Sequence, residues 1–311
     1  MQRDLTAAPP PADWGVELDE GALADFADRL ATVELRTADY DYEGVPDLSG
    51  ARWCDFVTLG VSVVACLWPP DGEEVWRVEL DDRWLDDAPG IWACFTRHIR
   101  RDGGLDLEQF LEMGDDDLFF EGPGTLQLIP ERVDRLRSVA RSLERHWSGT
   151  AGHLVRQASH DARAVADLLI DTVPGYRDRP ETEAGVLPFD KLALLAASMI
   201  SVKVPLSGLD RFPVFPDYML PRHLRYRGVL VYEPELADAV DRRAEIAEGS
   251  HWEHAIRWGT VYAGARLLDA LSVRGRELTP TTLDYHLWYE AVLGPEAGLM
   301  GEHHRTVTLA Y

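Results

Sequence analysis

Helical periodicity runs through most of the chain after Pro130, and it limits the possible folds more than any other feature. In residues 131–147, "ERVDRLRSVARSLERHW", apolar side chains recur on one helical face. Residues 188–202, "PFDKLALLAASMISV", are apolar nearly all round, which predicts a central helix. A further helix is marked by a Thr-Pro start at 279–280 and a stop at Gly294. Similar patterns predict helices within 19–35, 90–101, 153–173, 216–228, 233–246 and 250–271.

The first third of the chain and its last residues have a different pattern. Residues 56–68, "FVTLGVSVVACLW", are rich in β-branched side chains and predict a buried strand, followed by a Pro-Pro-Asp-Gly turn and a second strand. The alternating tail "HHRTVTLAY", residues 303–311, predicts a closing strand. We therefore expect a mainly α (α+β) protein whose small β element comes from the N-terminal third and the C-terminal strand. Residues 1–18 are predicted to be loose and 19–311 to form one domain, with an α/β portion (19–129) and a helical portion (130–311).

The charge balance restricts the partners of the protein. With 54 acidic and 31 basic residues, the formal net charge is −23, which disfavours binding to duplex nucleic acid but not to one small anion in a locally basic pocket. No apolar run approaches the roughly 20 residues of a membrane helix. The three cysteines form no CxxC pair, and the N-terminus lacks a secretory signal, so we expect buried thiols in a cytoplasmic protein that does not bind membranes. The oligomeric state is not determined by these features.

One carboxylate stands out in the stretch "RFPVFPDYMLPRHLRYRG", residues 211–228. Asp217 follows Pro216 and is well placed to cap the next helix. Phe212, Phe215 and Tyr218 surround it with apolar surface, which is expected to raise its pKa. A sheltered carboxylate of this kind can activate water or stabilise a sugar cation. Capping alone and a catalytic role both remain open at this point.

A second cluster, "LDYHLWYE", covers residues 283–290. On a helix, Tyr285, Trp288 and Tyr289 share one face, with Asp284 beside them. Plain core packing would explain this pattern. The functional alternative is a planar ligand stacked on the aromatic rings, with the carboxylate binding its N–H groups.

The remaining polar candidates are a basic group and several histidines. Arg222, Arg225 and Arg227 either form a solvated helix face or hold a phosphate near Asp217. Lys191 is another candidate phosphate ligand, with neutralisation of its neighbour Asp190 as the alternative. The histidines in "HWEH" lack the HExxH order, and the adjacent pair at 303–304 has no partner motif, so we expect no metal site.

In order along the chain, "FPDYMLPRHLRYRGVLVY", "WEHAIRW", "LDYHLWYEAV" and "HHRTVTLAY" resemble the queuosine-salvage proteins, the queuosine 5′-phosphate N-glycosylase/hydrolases. The resemblance spans roughly residues 50–311 and implies a mostly helical fold akin to helix-hairpin-helix DNA glycosylases, with an added β portion. It implies hydrolysis of queuosine 5′-phosphate to release queuine for tRNA modification, with no metal or redox cofactor. It places the catalytic role on Asp217, base-pocket lining on Phe215, and substrate recognition on Asp284 and Tyr285.

The full set of expected substrate-binding residues follows from combining the resemblance with the local patterns. Phe215, Tyr285 and Trp288 would sandwich the base, and the remaining expected contacts are Asp284, Tyr289, Tyr218, Arg222 and Lys191. The chain departs from the family pattern at "VSVVACLW", at Ser198 in place of an acid, and near residues 40–46, where a ligand-binding histidine has no counterpart. Two alternatives therefore stay open: an N-glycosidase for another modified nucleotide, and a non-catalytic nucleotide or base binder.

Overall fold

The computed structural model describes residues 1–40, 43–114 and 118–311, and it is mainly helical, as predicted. The helices are α1 (Glu20–Thr32), α2 (Gly50–Val61), α3 (Asp87–Asp102), α4 (Leu107–Glu112), α5 (Ile129–Trp147), α6 (Ala151–Gln157), α7 (Ala162–Thr172), α8 (Lys191–Lys203), α9 (Met219–Tyr226), α10 (Pro234–Asp241), α11 (His251–Val273) and α12 (Pro280–Val292). The strands are β1 (Val16–Leu18), β2 (Val78–Leu80), β3 (Arg83–Leu85), β4 (Glu181–Thr182), β5 (Gly185–Val186) and β6 (Leu230–Tyr232). They pair antiparallel as β1–β6, β2–β3 and β4–β5.

The chain divides into two compact units built from interleaved segments. The first unit comprises Met1–Ala38, Asp178–Lys191 and Gly208–Val307. The second comprises Asp39–Arg177, Leu192–Ser207 and Thr308–Tyr311. The stretch "DLEQFLEMGDDDLFF", residues 106–120, predicts a short helix followed by an acidic turn. The helix is α4, and the acidic turn falls on residues 115–117, outside the described residues.

The core of the first unit forms around α11. Leu23 and Phe26 of α1 are buried in it, together with apolar residues of α9, α12 and the β1–β6 pair. A Cβ added to Gly264 in α11 would overlap with the side chain of Val214, which explains the small residue there. The N-terminal segment contributes Leu5 and Trp14 to the same core. This close packing fixes the path of the chain towards Asp217, three residues after Val214.

The strand predicted at residues 56–68 was wrong. The chain there forms the buried end of α2 and then a loop, so burial overrides the β preference of its branched side chains. Arg132 of α5, which is fully buried, explains the loop: its guanidinium donates to the carbonyl oxygens of Val63, Ala65 (2.7 Å) and Cys66 (2.9 Å). Those carbonyls therefore bond to a side chain and not to a neighbouring strand.

A hairpin does form in this third of the chain, but at a later turn than predicted. Strands β2 and β3 pair through Asp81 and Asp82, whose φ angles of 52° and 59° have the positive sign that a type I′ turn requires. The three cysteines are buried, as expected.

The closing strand predicted at 303–311 was also wrong. In this tail the structure has one isolated bridge, between Arg305 and Glu245. The Tyr218 hydroxyl donates to the carbonyl of Thr306 (2.7 Å), so this carbonyl bonds to a side chain and not to the backbone N–H of a neighbouring strand. The partner of β1 is instead β6, in the apolar segment between α9 and α10.

Candidate functional site

Asp217 caps α9, as its sequence setting predicts. Its Oδ1 accepts hydrogen bonds from the backbone N–H groups of Met219 (2.9 Å) and Leu220 (2.8 Å). The residue is partly buried, and burial raises the pKa of its carboxyl above the usual range. The nearby Lys191 ammonium and the helix N–H groups oppose that rise. Capping is therefore confirmed, and the carboxylate that caps the helix is also poorly solvated.

A second carboxylate, Asp284 of α12, lies beside the first. It is 6% exposed, and its Oδ1 accepts a 2.6 Å hydrogen bond from the N–H of Phe215. Its pKa is raised well above the usual range, mainly by burial and next by repulsion from Asp217. The two predicted acids therefore meet in one site, although they lie 67 positions apart in the sequence.

Lys191, the first residue of α8, provides the positive charge of this cluster. It is 6% exposed, and its ammonium lowers the pKa of both Asp217 and Asp284 against the effect of burial. Its neighbour Asp190 is paired with a different cation, since Arg179 Nε donates to Asp190 Oδ2 at 2.6 Å. The lysine thus balances the two site carboxylates, and Asp190 has its own counter-ion.

Two of the predicted aromatic residues adjoin the acids in the chain, and the other two continue along α12. Phe215 precedes Asp217 by two residues and is 2% exposed, and Tyr285 follows Asp284 directly and is 6% exposed. The rings of Tyr285 and Trp288 lie 5.9 Å apart, tilted by 33°, on the same side of α12. Tyr289 continues this face, and the Arg36 guanidinium covers its ring at 4.6 Å.

Tyr218 connects the cluster to a pair of histidines that sequence reasoning considered only as metal ligands. Its ring lies 5.5 Å from that of His303 and 5.0 Å from that of His304. Burial lowers the pKa of His303 to about 4 and that of His304 well below its usual range, so both imidazoles are neutral at pH 7. The alternating pattern of residues 303–311 predicted a strand and did not indicate that these two imidazoles lie beside Tyr218.

The basic group of α9 is occupied by protein contacts. Arg222 donates to the backbone carbonyls of Gly301 (2.7 Å), Ala297 (2.8 Å) and Ala291 (3.1 Å). Arg225 forms a two-bond ion pair with Asp241, at 2.8 and 2.9 Å. Arg227 pairs with Glu296. Arg222 and Arg225 lie on the predicted helix, whereas Arg227 follows its last residue. The sequence did not show which protein groups the three arginines bind.

The histidines of "HWEH" have carboxylate partners. His251 Nε2 lies 3.0 Å from Glu183, and His254 Nε2 lies 3.3 Å from Glu253. Within residues 1–40, 43–114 and 118–311, no cluster of three or more histidine, cysteine or acidic residues has a geometry able to hold a metal ion. In the same part of the chain, no helix combines the length and apolar character needed to cross a membrane.

Comparison with known proteins gives a consistent set of relatives. A family model described as "Queuosine salvage protein" matches residues 51–311. A Sphaerobacter thermophilus protein named queuosine 5′-phosphate N-glycosylase/hydrolase is 28% identical over 305 residues, which cover 95% of this chain and 93% of that protein. Proteins of the same name from Dictyostelium discoideum and Mus musculus are each 29% identical, over 58% and 52% of both chains respectively.

Proposed function

This chain belongs to the queuosine salvage protein family, and we propose that it hydrolyses the N-glycosidic bond of queuosine 5′-phosphate. In this reaction the bond between ribose C1′ and the base nitrogen breaks. Water supplies a hydroxyl group to C1′ and a proton to the base, so queuine and ribose 5-phosphate are released. The observation that carries the proposal is the cluster of Asp217, Asp284 and Lys191, in which the N–H of Phe215 bonds to Asp284.

Asp217 is the proposed catalytic residue. As C1′ loses the base it develops positive charge, which a nearby carboxylate stabilises most strongly where water is scarce. The raised pKa of Asp217 also brings it closer to that of a general base working near neutral pH, able to direct or deprotonate the attacking water. Its hydrogen bonds to the start of α9 hold the carboxylate in place, so the cap and the catalytic group are the same side chain.

Asp284 is proposed to bind the polar edge of the base. Burial, followed by repulsion from Asp217, raises the pKa of Asp284 well above its usual range, which favours its protonated form. A protonated carboxyl group both donates and accepts a hydrogen bond. Phe215, Tyr285 and Trp288 are proposed to stack against the base, with Tyr218 and Tyr289 beside them.

The 5′-phosphate is assigned to Lys191. An ammonium group has three N–H donors and can contact a phosphate oxygen as well as a carboxylate. Arg222 is assigned to the protein itself, because three of its N–H bonds hold backbone carbonyls of the segment from Ala291 to Gly301. We further propose a cytoplasmic role in returning queuine to tRNA modification, which the buried cysteines fit.

The decisive experiment is release of free base from defined substrates. Purified protein is incubated with queuosine 5′-phosphate, with queuosine and with a panel of ordinary and modified nucleotides, and free bases are measured by mass spectrometry. We expect queuine from queuosine 5′-phosphate, and none from the Asp217→Asn variant. Release of a different base alone would replace the substrate, and binding of the nucleotide without cleavage would overturn the hydrolase assignment.

A matched control tests whether loss of activity is specific. Asp238 of α10 forms an exposed pair with Arg242, the residue directly after that helix, at 2.8 Å. The Asp238→Asn variant therefore removes one acidic charge of the first unit away from the carboxylate cluster, and we expect it to keep full activity.

A further inference from the structure

The position of Lys191 depends on an unusual backbone conformation just before it. Asp190 has a φ angle of 44°, in the left-handed region that residues other than glycine rarely adopt. Such a conformation is strained and persists only where surrounding contacts enforce it. Because α8 begins at Lys191, the conformation of Asp190 sets the direction in which the lysine side chain leaves the helix.

The contacts that enforce this conformation come from Asp178 and Arg179. Asp190 Oδ1 accepts the N–H of Asp178 (3.1 Å), and Asp190 Oδ2 accepts Nε–H of Arg179 (2.6 Å). In return, the N–H of Asp190 donates to the carbonyl of Asp178 at 3.1 Å. Asp190 is 3% exposed, so its side chain and its backbone are both fixed by this pairing.

Arg257 of α11 contacts the same segment through Asp178 and Phe189. Its Nη2 pairs with the Asp178 carboxylate, and its Nη1 donates to Glu253 at 3.0 Å. Its guanidinium carbon lies 3.9 Å from the ring centroid of Phe189, whose N–H donates to the Asp178 carbonyl. At 2% exposure, Arg257 thus anchors the residues on both sides of the β4–β5 turn and connects them to the central helix of the unit.

We propose that Asp190 and Arg257 are positioning residues that hold the Lys191 ammonium against the Asp217 and Asp284 carboxylates. The proposal rests on the proposed function, since it concerns the same site. Its physical reason is that lysine is a compact charge on a flexible stem, so its effect on two buried acids depends on where its backbone starts. Misplacing such a group by about 1 Å is enough to reduce a rate by about 100-fold.

The test is a double-mutant cycle between Asp190 and Lys191. Asp190→Asn keeps the side-chain shape but weakens the pair with Arg179, and Lys191→Met removes the ammonium. If Asp190 acts through Lys191, Asp190→Asn lowers kcat for queuosine 5′-phosphate hydrolysis by about 10- to 100-fold in the wild type. In the Lys191→Met background the same substitution lowers kcat by less than about 3-fold. A purely structural role would give equal losses in both backgrounds.

A second variant covers the case in which Asp190→Asn does not fold. Arg257→Lys keeps a positive charge opposite Asp178 but cannot bridge Asp178 and Glu253 with a planar fork. We expect the same dependence on Lys191, while the control Asp238→Asn has no effect in either background. Equal losses in the two backgrounds, or unchanged kcat in both single variants, would overturn the positioning role. An inactive wild type would overturn the proposed function itself, and the positioning role with it.

Discussion

Two substitutions at Asp217 separate its capping role from its proposed catalytic role. Asparagine caps helices as well as aspartate does, so Asp217→Asn can keep the hydrogen bonds to Met219 and Leu220 while it removes the charge. Asp217→Ala removes both. The difference in stability between the two variants therefore measures the contribution of the helix cap. The activity that both variants lose measures the contribution of the carboxylate charge to catalysis.

The size of the cap effect follows from the structure. Replacing a helix cap by alanine costs about 1 kcal/mol and up to about 2 kcal/mol, and two N–H groups are left without the side-chain acceptor at Asp217. For 311 residues, an unfolding entropy of about 2.1 cal/mol/K per residue converts 1 kcal/mol into about 1.5 °C. Asp217→Ala should therefore melt about 2–3 °C below Asp217→Asn. Both should lose at least about 100-fold in kcat.

The pH dependence of folding stability tests the raised pKa of Asp217 independently of activity. Burial raises the pKa of Asp217 in the folded protein, so between the unfolded and the folded pKa the folded state binds more protons. The stability of the wild type therefore falls as the pH rises through the pKa of Asp217 in the folded protein. The Asp217→Asn variant has no carboxyl group at this position and does not lose stability in this way. The stability of Asp217→Asn relative to wild type should therefore increase as the pH rises from below the usual aspartate pKa of about 3.9 to pH 8, as measured by urea denaturation.

The control is Asp19, which caps α1 by accepting the N–H of Ala22 at 2.8 Å on an exposed surface. Asp19→Asn and Asp19→Ala should differ in stability by a similar amount and leave kcat unchanged. If Asp217→Asn keeps wild-type activity, Asp217 is only a cap and the catalytic reasoning fails. If Asp217→Asn and Asp217→Ala melt at the same temperature, the capping reasoning fails.

Three further predictions concern the packing within the two units. Arg132→Met leaves the buried carbonyls of the loop after α2 without their donor, so we expect the free energy of unfolding to fall by about 3–5 kcal/mol in urea denaturation. A fall below about 1 kcal/mol would contradict this account. Gly264→Ala forces the added methyl group against Val214, so stability should fall by about 1–3 kcal/mol and kcat should fall with it. An unchanged melting temperature together with an unchanged kcat would refute the close packing. Burial raises the pKa of Cys54 and of Cys94 to about 12, so a thiol reagent at pH 8 should modify them only after unfolding, and rapid reaction of the native protein would disprove their burial.

The sequence predicted the local features of the site because these depend on neighbouring residues. The cap at Asp217 and the aromatic face of α12 follow from spacing and helix signals within a few residues. The resemblance named Asp217 and Asp284 as functional residues. It did not show that the two acids repel each other or that the N–H of Phe215 bonds to Asp284, because these contacts join segments far apart in the chain.

The errors have the same origin. The β-branched run at 56–68 has the composition of a strand, but whether its carbonyls pair with a strand or with Arg132 depends on a helix that begins more than 60 residues later. The alternating tail likewise does not form a strand, because the Tyr218 hydroxyl donates to the carbonyl of Thr306. The helix-hairpin-helix relationship remains a prediction of the resemblance.

By itself, the sequence determined the helical framework, the capping carboxylate and the family, since periodicity, caps and ordered motifs are read along the chain. Only the tertiary structure decided that Lys191 lies near two carboxylates, that Arg222 binds backbone carbonyls, and that Asp190 and Arg257 both bond to Asp178. A charged side chain acquires its role from whichever groups share its buried surroundings, and burial is a property of the folded chain.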